Sequence, residues 1–369
     1  MIFHSTSKKP ILLVGNGARA AGAESLIIEF TKKTNIPIIT TMNGVDLAQD
    51  DMKIGFMGVY GNRVANTILT QCDLIISVGA RLSLRQVGKN PRKFAPQAKL
   101  IRVDIDPYEI SHNIKDDEKK YLLDAKDFMK RLMQEEIPDY SEWHDKCFKA
   151  KKLFENCDKE IGNMVIEEIN KLLPLNPIVA VDVGQSQCWS AQSLSLKGYL
   201  GRILIGGGYG SMGCGLPYAI GASIAQSKKV VYCITGDGGL QMNIQELETV
   251  KRENLPVKML VLNNYALGKI REVQYMSYES RFAGTTSDSG YTVPDFEKIA
   301  QAYGIKACTI STYKKLGNYK DWLYDDEPCL INIQMPEDTL LIPKIKWETG
   351  KIEPAIDSDL EKEVIDLLK

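Results

Sequence analysis

The stretch Thr235-Gly236-Asp237-Gly238-Gly239-Leu240 sets one carboxylate among three glycines at the end of an apolar run, VVYCITGDGG. A second apolar run, PVKMLVLNN, ends in Asn263 and Asn264, 26 and 27 positions beyond Asp237. Both runs have the length and Val/Ile/Leu content of parallel strands, and ligands bind outside the carboxyl ends of such strands. Two neighbouring strands would bring Asp237 and the asparagines to one place. The glycines let a backbone approach an anion closely and aim N–H groups at it. One carboxylate plus a carboxamide suits magnesium, which takes oxygen ligands and completes its shell with substrate phosphates and water. The chemistry indicated is a diphosphate held through Mg²⁺. The alternative is that Asp237 caps the following helix and the asparagines form a turn. The paired occurrence at this spacing favours the metal.

The elements that must position these residues are those of an α/β chain. Its 369 residues suggest two to three domains, and 44% hydrophobic with 25% charged residues supports a sizeable core. Residues 10–135 alternate apolar runs (PILLVGNG, NIPIITT, CDLIISVGA, KLIRVDID) with helical spacing such as AGAESLIIEFTKK, which reads as a parallel-sheet domain. Residues 136–160 are polar and charged and read as a helical linker. The alternation resumes at 161 with IVAVDVGQ, RILIGGGYGSMGCGLPYAIGASIA, KVVYCITGDGG, PVKMLVLNN and PCLINIQM. The expected division is 1–135, 136–160, 161–345 and a tail, 346–369, ending in a short amphipathic helix. The fold class is α/β with two doubly wound parallel-sheet domains.

Several function classes are disfavoured. A formal net charge of −1 gives no electrostatic reason to expect nucleic acid or a membrane surface as partner. The eight cysteines are scattered without a C-x-x-C, as expected of reduced thiols in a cytoplasmic protein. His4, His112 and His144 are too dispersed for a histidine metal site. No run approaches the roughly 18 apolar residues of a membrane helix, and the N-terminus has no signal-peptide core. VGNGARAAGA lacks the G-x-G-x-x-G spacing of a dinucleotide fingerprint, which argues against an NAD-linked dehydrogenase.

Gly-Asp-Gly followed by Asn-Asn at this spacing resembles the signature of thiamine diphosphate-dependent enzymes. GQSQCWSAQ (184–192), GGYGSMGCGLPYAIGA (207–222) and PVKMLVLNNYALG (256–268) resemble the acetolactate synthase large subunit. PILLVGNG, GVYGNRVAN (58–66), GARLSLRQVG (79–88) and IRVDIDPYEI (101–110) resemble its central domain. The resemblance implies Asp237, Asn264 and the carbonyl of Ala266 as Mg²⁺ ligands. It implies Gly236, Gly238 and Gly239 along the diphosphate, with Val183, Gly184, Gln185 and Ser186 in a second contacting loop. Gly210 and Met212 would hold the aminopyrimidine, and Leu267 and Gly268 complete the cofactor contacts. Ser186 stands where the family often has histidine.

Three departures from the family pattern bear on function. No glutamate matches the one that activates the cofactor, so that group is expected from a pyrimidine-binding domain missing here. Either a second polypeptide supplies that domain or the chain is a truncated product; a homo-oligomer or a separate pyrimidine-domain subunit is expected as partner, and the isolated chain would be inactive or nearly so. Val273 stands where acetolactate synthases carry a tryptophan selecting the second keto acid, with Lys269 and Arg271 as added cations, which suggests a bulkier or anionic acceptor. EVQYMSYESRFAGTTSDSGYTVPDFEKIAQAYGIKA resembles acetolactate synthase-like proteins of surface-polysaccharide gene clusters more than the amino-acid-biosynthetic enzyme. Finally, Gly15, Gly17, Arg81, Arg85 and Asp104 match positions near FAD in the central domain. FAD, ADP or a plain packing turn with solvated arginines all remain open. The implied function is a carboligase or decarboxylase of pyruvate or another 2-keto acid. The alternative is a non-catalytic cofactor-binding remnant or interaction subunit.

Overall fold

A computed structural model describes residues 6–198, 200–346 and 349–369. His4 and parts of the expected first and last segments lie outside the described residues. The chain forms two compact units, Met1–Asp158 with Ile342–Lys369, and Lys159–Leu341.

The first unit is built on a sheet of six parallel strands: β1 (Pro10–Val14), β2 (Ile38–Thr40), β3 (Lys53–Phe56), β4 (Leu74–Val78), β5 (Lys99–Asp104) and β6 (Lys119–Leu122), in the order β3-β2-β1-β4-β5-β6. β1 and β4 are buried at every position, because helices cover both faces of a parallel sheet. The strand order reverses between β1 and β4, where Gly15 and Gly79 end their strands. A Cβ at Gly15 would overlap the carbonyl oxygen of Gly79, and one at Gly17 would lie 2.8 Å from the Cα of Gly79. These glycines let the short helix Asn16–Ala20 sit directly on the neighbouring turn.

Residues 136–160, read above as a linker, carry the helix Ser141–Leu153, whose Trp143, Cys147 and Ala150 lie in the first unit's core. The Trp143 indole donates to the Pro10 carbonyl at 3.0 Å. The terminal helix Ser358–Leu368 packs on Ser141–Leu153 and adds Val364 and Leu368 to the same core. Arg63, almost fully buried, pairs with Asp158 at 2.6 Å and donates to the Pro354 carbonyl at 2.7 Å, tying both late segments to this unit.

The second unit holds another six-stranded parallel sheet. Its strands are β7 (Ile178–Val181), β8 (Arg202–Ile205), β9 (Val231–Gly236), β10 (Val257–Asn263), β11 (Lys306–Ile310) and β12 (Cys329–Gln334), in the order β11-β12-β10-β9-β7-β8. The sequence patterns identify nine of the twelve strands of these two sheets. β3, β6 and β11 (KIGF, KKYL, KACTI) escape them, since each is short, opens on lysine and has a mixed pattern typical of edge positions.

Candidate cofactor and metal site

The register of the second sheet brings the two sequence elements together. Leu262 of β10 lies opposite Gly236 of β9, so Asp237 and Asn264 leave neighbouring strands at one end of the sheet. β7 flanks β9 on its other side and delivers Val183, Gly184 and Gln185 to the same end. Three adjacent strand ends thus converge on the expected site.

Asp237 is 2% exposed. Its Oδ1 accepts from the Gly238 amide at 2.6 Å and from the Tyr291 hydroxyl at 3.2 Å. The amides of Tyr265 and Ala266 face the same carboxylate. Among the described residues none makes a hydrogen bond within bonding geometry to its buried Oδ2. Burial dominates these contacts and pushes the Asp237 pKa up to about 6. The helix it opens, Asp237–Met242, is capped by Gly236 with no side-chain bond, so Asp237 is not the helix cap of the alternative reading. A buried carboxylate oxygen with no partner is costly in a protein interior and suits a cation.

The two asparagines divide the roles considered for them. The Asn263 Oδ1 accepts from the Tyr265 amide at 3.1 Å, closing the turn in which Tyr265 adopts a φ of 55°. Asn264 instead turns its side-chain nitrogen toward Thr339 and Gln185, at 2.8 and 3.2 Å. Among the described residues no cluster of three His, Cys, Asp or Glu side chains could hold a metal. The donor set is therefore one carboxylate, one carboxamide and backbone carbonyls, the oxygen ligands that Mg²⁺ takes when phosphates and water complete its shell. The residues fit that ion.

Gly238 is the point where the other predicted residues meet. A Cβ there would lie 2.7 Å from Met212 Cε, 2.8 Å from Leu267 Cδ2 and 3.0 Å from the Tyr291 hydroxyl. At Gly239 it would lie 2.6 Å from Asp182 Oδ2, and at Gly236 it would meet open space. A Cβ at Gly268 would overlap Gln185 Oε1 and lie 2.7 Å from Asn264 Nδ2. Gly184 and Gly210 have φ of 118° and 66°, which favours glycine, and Val183 is the near neighbour of Gly210. Two predicted phosphate contacts have other partners. Ser186 donates its hydroxyl to the Asp182 carbonyl at 3.2 Å, and the Gln185 carboxamide is turned to Thr339 and Asn264. The tight strand-to-helix turn after β7 buries both side chains.

Sequence reasoning missed three residues, Asp182, Thr339 and Tyr291. Asp182 is buried, with Oδ1 accepting from the amides of Val183 at 2.7 Å and Gly213 at 3.0 Å. Its Oδ2 accepts from the Thr235 hydroxyl at 3.0 Å. Burial raises its pKa, and it joins three loops around the site. A strand-end acidic residue in VDVGQ was the available signal. Thr339 and Tyr291 lie far from the motifs and gave none.

On the helix Gly268–Ser277, Val273 is partly exposed. Lys269 pairs with the buried Glu272 at 3.6 Å, and Arg271 lies 5.1 Å over the Phe282 ring. Both expected acceptor cations thus have partners on the protein. In the first unit, Gly15 and Gly17 serve packing, Arg81 pairs with Glu109 at 3.8 Å and is mostly exposed, and Arg85 is exposed. Asp104 Oδ1 accepts from the Asp106 amide at 3.0 Å.

Comparison with known proteins agrees with this geometry. Residues 182–333 match the C-terminal TPP binding domain of thiamine pyrophosphate enzymes, and residues 5–132 match their central domain. The probable acetolactate synthase large subunit of Methanocaldococcus jannaschii is 33% identical, over 98% of this chain and 64% of that protein. The acetolactate synthase large subunit of Lactococcus lactis is 33% identical over 92% of this chain and 60% of its own length. Isozyme 2 of the Escherichia coli large subunit is 33% identical over 90% and 60%. The chain spans about three fifths of the length of the curated relatives it matches. With two domain profiles matched in order and the strand ends delivering Asp237 and Asn264 together, the chain belongs to the thiamine pyrophosphate enzyme family.

Proposed function

We propose that the second unit holds thiamine diphosphate through Mg²⁺ and serves a carboligase or decarboxylase of pyruvate or a related 2-keto acid. The observation that carries this reading is the buried Asp237 carboxylate with a partnerless Oδ2, one strand away from Asn264. When bound, thiamine diphosphate supplies the electron sink that lets a 2-keto acid lose CO₂ and its remaining fragment join an acceptor. Asp237 and Asn264 would hold the cation, with the Ala266 carbonyl as third protein ligand. Gly236, open above the strand end, admits a phosphate close to the backbone. Met212 and Leu267, meeting over Gly238, give the apolar support for the rings.

Tyr209 is fully exposed and Met212 partly so, on the glycine-rich loop beside the site. That exposed side favours completion by a pyrimidine-binding domain carrying the activating carboxylate, on the same polypeptide, a second copy or a separate subunit. Lys269 and Arg271 are engaged within the helix region, so selection of the acceptor falls to the smaller Val273 and its exposed neighbours. The test is pyruvate consumption with thiamine diphosphate and Mg²⁺, with and without a pyrimidine-binding domain added in trans. The proposal expects turnover that depends on all three additions. Cofactor binding with no turnover of any 2-keto acid, even with that domain present, would instead indicate a non-catalytic subunit.

A further inference from the structure

Buried beside Asn264 is a closed set of hydrogen bonds whose direction can be worked out from one end. The Thr339 carbonyl can only accept, and it accepts from the Gln185 side chain at 3.0 Å, so that atom is the Gln185 nitrogen, Nε2. Gln185 therefore presents its oxygen, Oε1, to the other two members. The Thr339 hydroxyl donates to that oxygen at 3.0 Å, which commits its only proton. Thr339 Oγ1 can then only accept from Asn264. The Asn264 side-chain atom that meets Thr339 at 2.8 Å and Gln185 Oε1 at 3.2 Å must consequently be the NH₂ end. With the amide turned the other way, the single Thr339 proton would have to serve two oxygens, and the Asn264 oxygen would face Gln185 Oε1 at 3.2 Å with no proton between them. All three residues are buried, so water cannot rescue that arrangement cheaply.

Thr339 is itself held in place. The segment after β12 is pinned at Thr339 by Gln185 and at Leu340, whose carbonyl accepts from the Trp189 indole at 3.2 Å. Leu341 is completely buried. A residue 75 positions beyond Asn264 is therefore fixed against it by an anchored stretch of chain.

We infer that Thr339 is a positioning residue that, with Gln185, fixes the Asn264 carboxamide so that its oxygen rather than its nitrogen is offered to the cation. This rests on the metal reading above. Gln185 acts in it as the relay from the Thr339 backbone to Asn264, in place of the diphosphate contact expected from the sequence.

The test is a Mg²⁺ titration of the full chain in saturating thiamine diphosphate, followed by tryptophan fluorescence and near-ultraviolet circular dichroism. Thr339→Val removes the hydroxyl at nearly constant volume, and Thr339→Ala removes it with less bulk should the valine disturb folding. Groups that orient a metal ligand typically contribute about 10–100-fold to affinity, so either variant is expected to bind Mg²⁺ at least about tenfold more weakly. Thr339→Ser, which keeps the oxygen and its proton, should restore wild-type affinity, which a role in mere chain packing does not predict. Wild-type Mg²⁺ affinity in folded Thr339→Val or Thr339→Ala, alongside loss of binding in Asp237→Ala, overturns the inference and leaves the metal site standing. Unchanged binding in Asp237→Ala as well, or no uptake by the wild type, removes the metal reading itself.

Discussion

Asp237→Asn separates what the carboxylate does for the site from what it costs the fold. Burial raises the Asp237 pKa from 3.8 to about 6. One pKa unit is about 1.4 kcal/mol, so some 2 units put the charge at a disadvantage of about 3 kcal/mol at neutral pH. Asparagine keeps the shape and removes the charge. Its oxygen, in the place of Oδ1, still accepts from the Gly238 amide and the Tyr291 hydroxyl, while its NH₂ group takes the place of the buried Oδ2. Removing the charge gains about 3 kcal/mol at pH 7.5 and leaving the buried NH₂ group unpaired costs about 1–3 kcal/mol, so without metal the variant should match wild type or exceed it by up to about 2 kcal/mol. Because the folded pKa lies above the unfolded value, the protonated acid's favourable contribution is present below pH 3.8 and is lost as pH rises through about 6. The variant's advantage should open across that window and level off above it. Urea unfolding in EDTA, followed by the fluorescence of buried Trp189, measures it. With Mg²⁺ and thiamine diphosphate present the order should reverse, since ligand at 100 times Kd adds about 2.7 kcal/mol to the wild type alone. A variant that is less stable than wild type in EDTA at pH 7.5, or equally protected by Mg²⁺, refutes the reasoning.

Three further outcomes follow from the packing. Gly238→Ala meets only flexible side-chain ends and the Tyr291 hydroxyl, so the fold should persist while overpacking of about 1–3 kcal/mol lowers cofactor affinity about tenfold, measured by calorimetric titration. Gly15→Ala overlaps backbone that cannot swing aside and should destabilise the first unit by about 1–3 kcal/mol or more, leaving Mg²⁺ affinity unchanged; thermal melting and a metal titration report the two effects separately. Arg63→Met leaves the part-buried Asp158 without its partner and should cost about 1–3 kcal/mol by urea unfolding, part of it recovered in the double variant with Asp158→Asn.

The proposed ligands Asp237 and Asn264 were legible because each follows a strand that is buried along nearly all its length, and buried parallel strands announce themselves as apolar runs ending at glycine or asparagine. Register then did what spacing could only suggest, setting Leu262 against Gly236. The fold class was legible for the same reason. The role of Gln185 was not, because the direction of a carboxamide depends on Thr339, which arrives from 154 residues away. Tyr291 and Asp182 likewise depend on contacts 54 and 53 residues away in the chain, with Asp237 and Thr235. The segment Ser141–Leu153 looked like a linker because its exposed face is heavily charged. Only the contacts of Trp143, Cys147 and Ala150 reveal its apolar side as core.

The central claim is that Asp237 and Asn264 make a Mg²⁺-dependent thiamine diphosphate site. Calorimetric titration of thiamine diphosphate into the full chain, in Mg²⁺ and in EDTA, tests it directly, with Asp237→Ala beside the wild type. The account predicts saturable binding by the wild type in Mg²⁺, its loss in EDTA, and its loss in Asp237→Ala whether or not Mg²⁺ is present. Binding of equal strength in EDTA, or binding that survives Asp237→Ala, would contradict it.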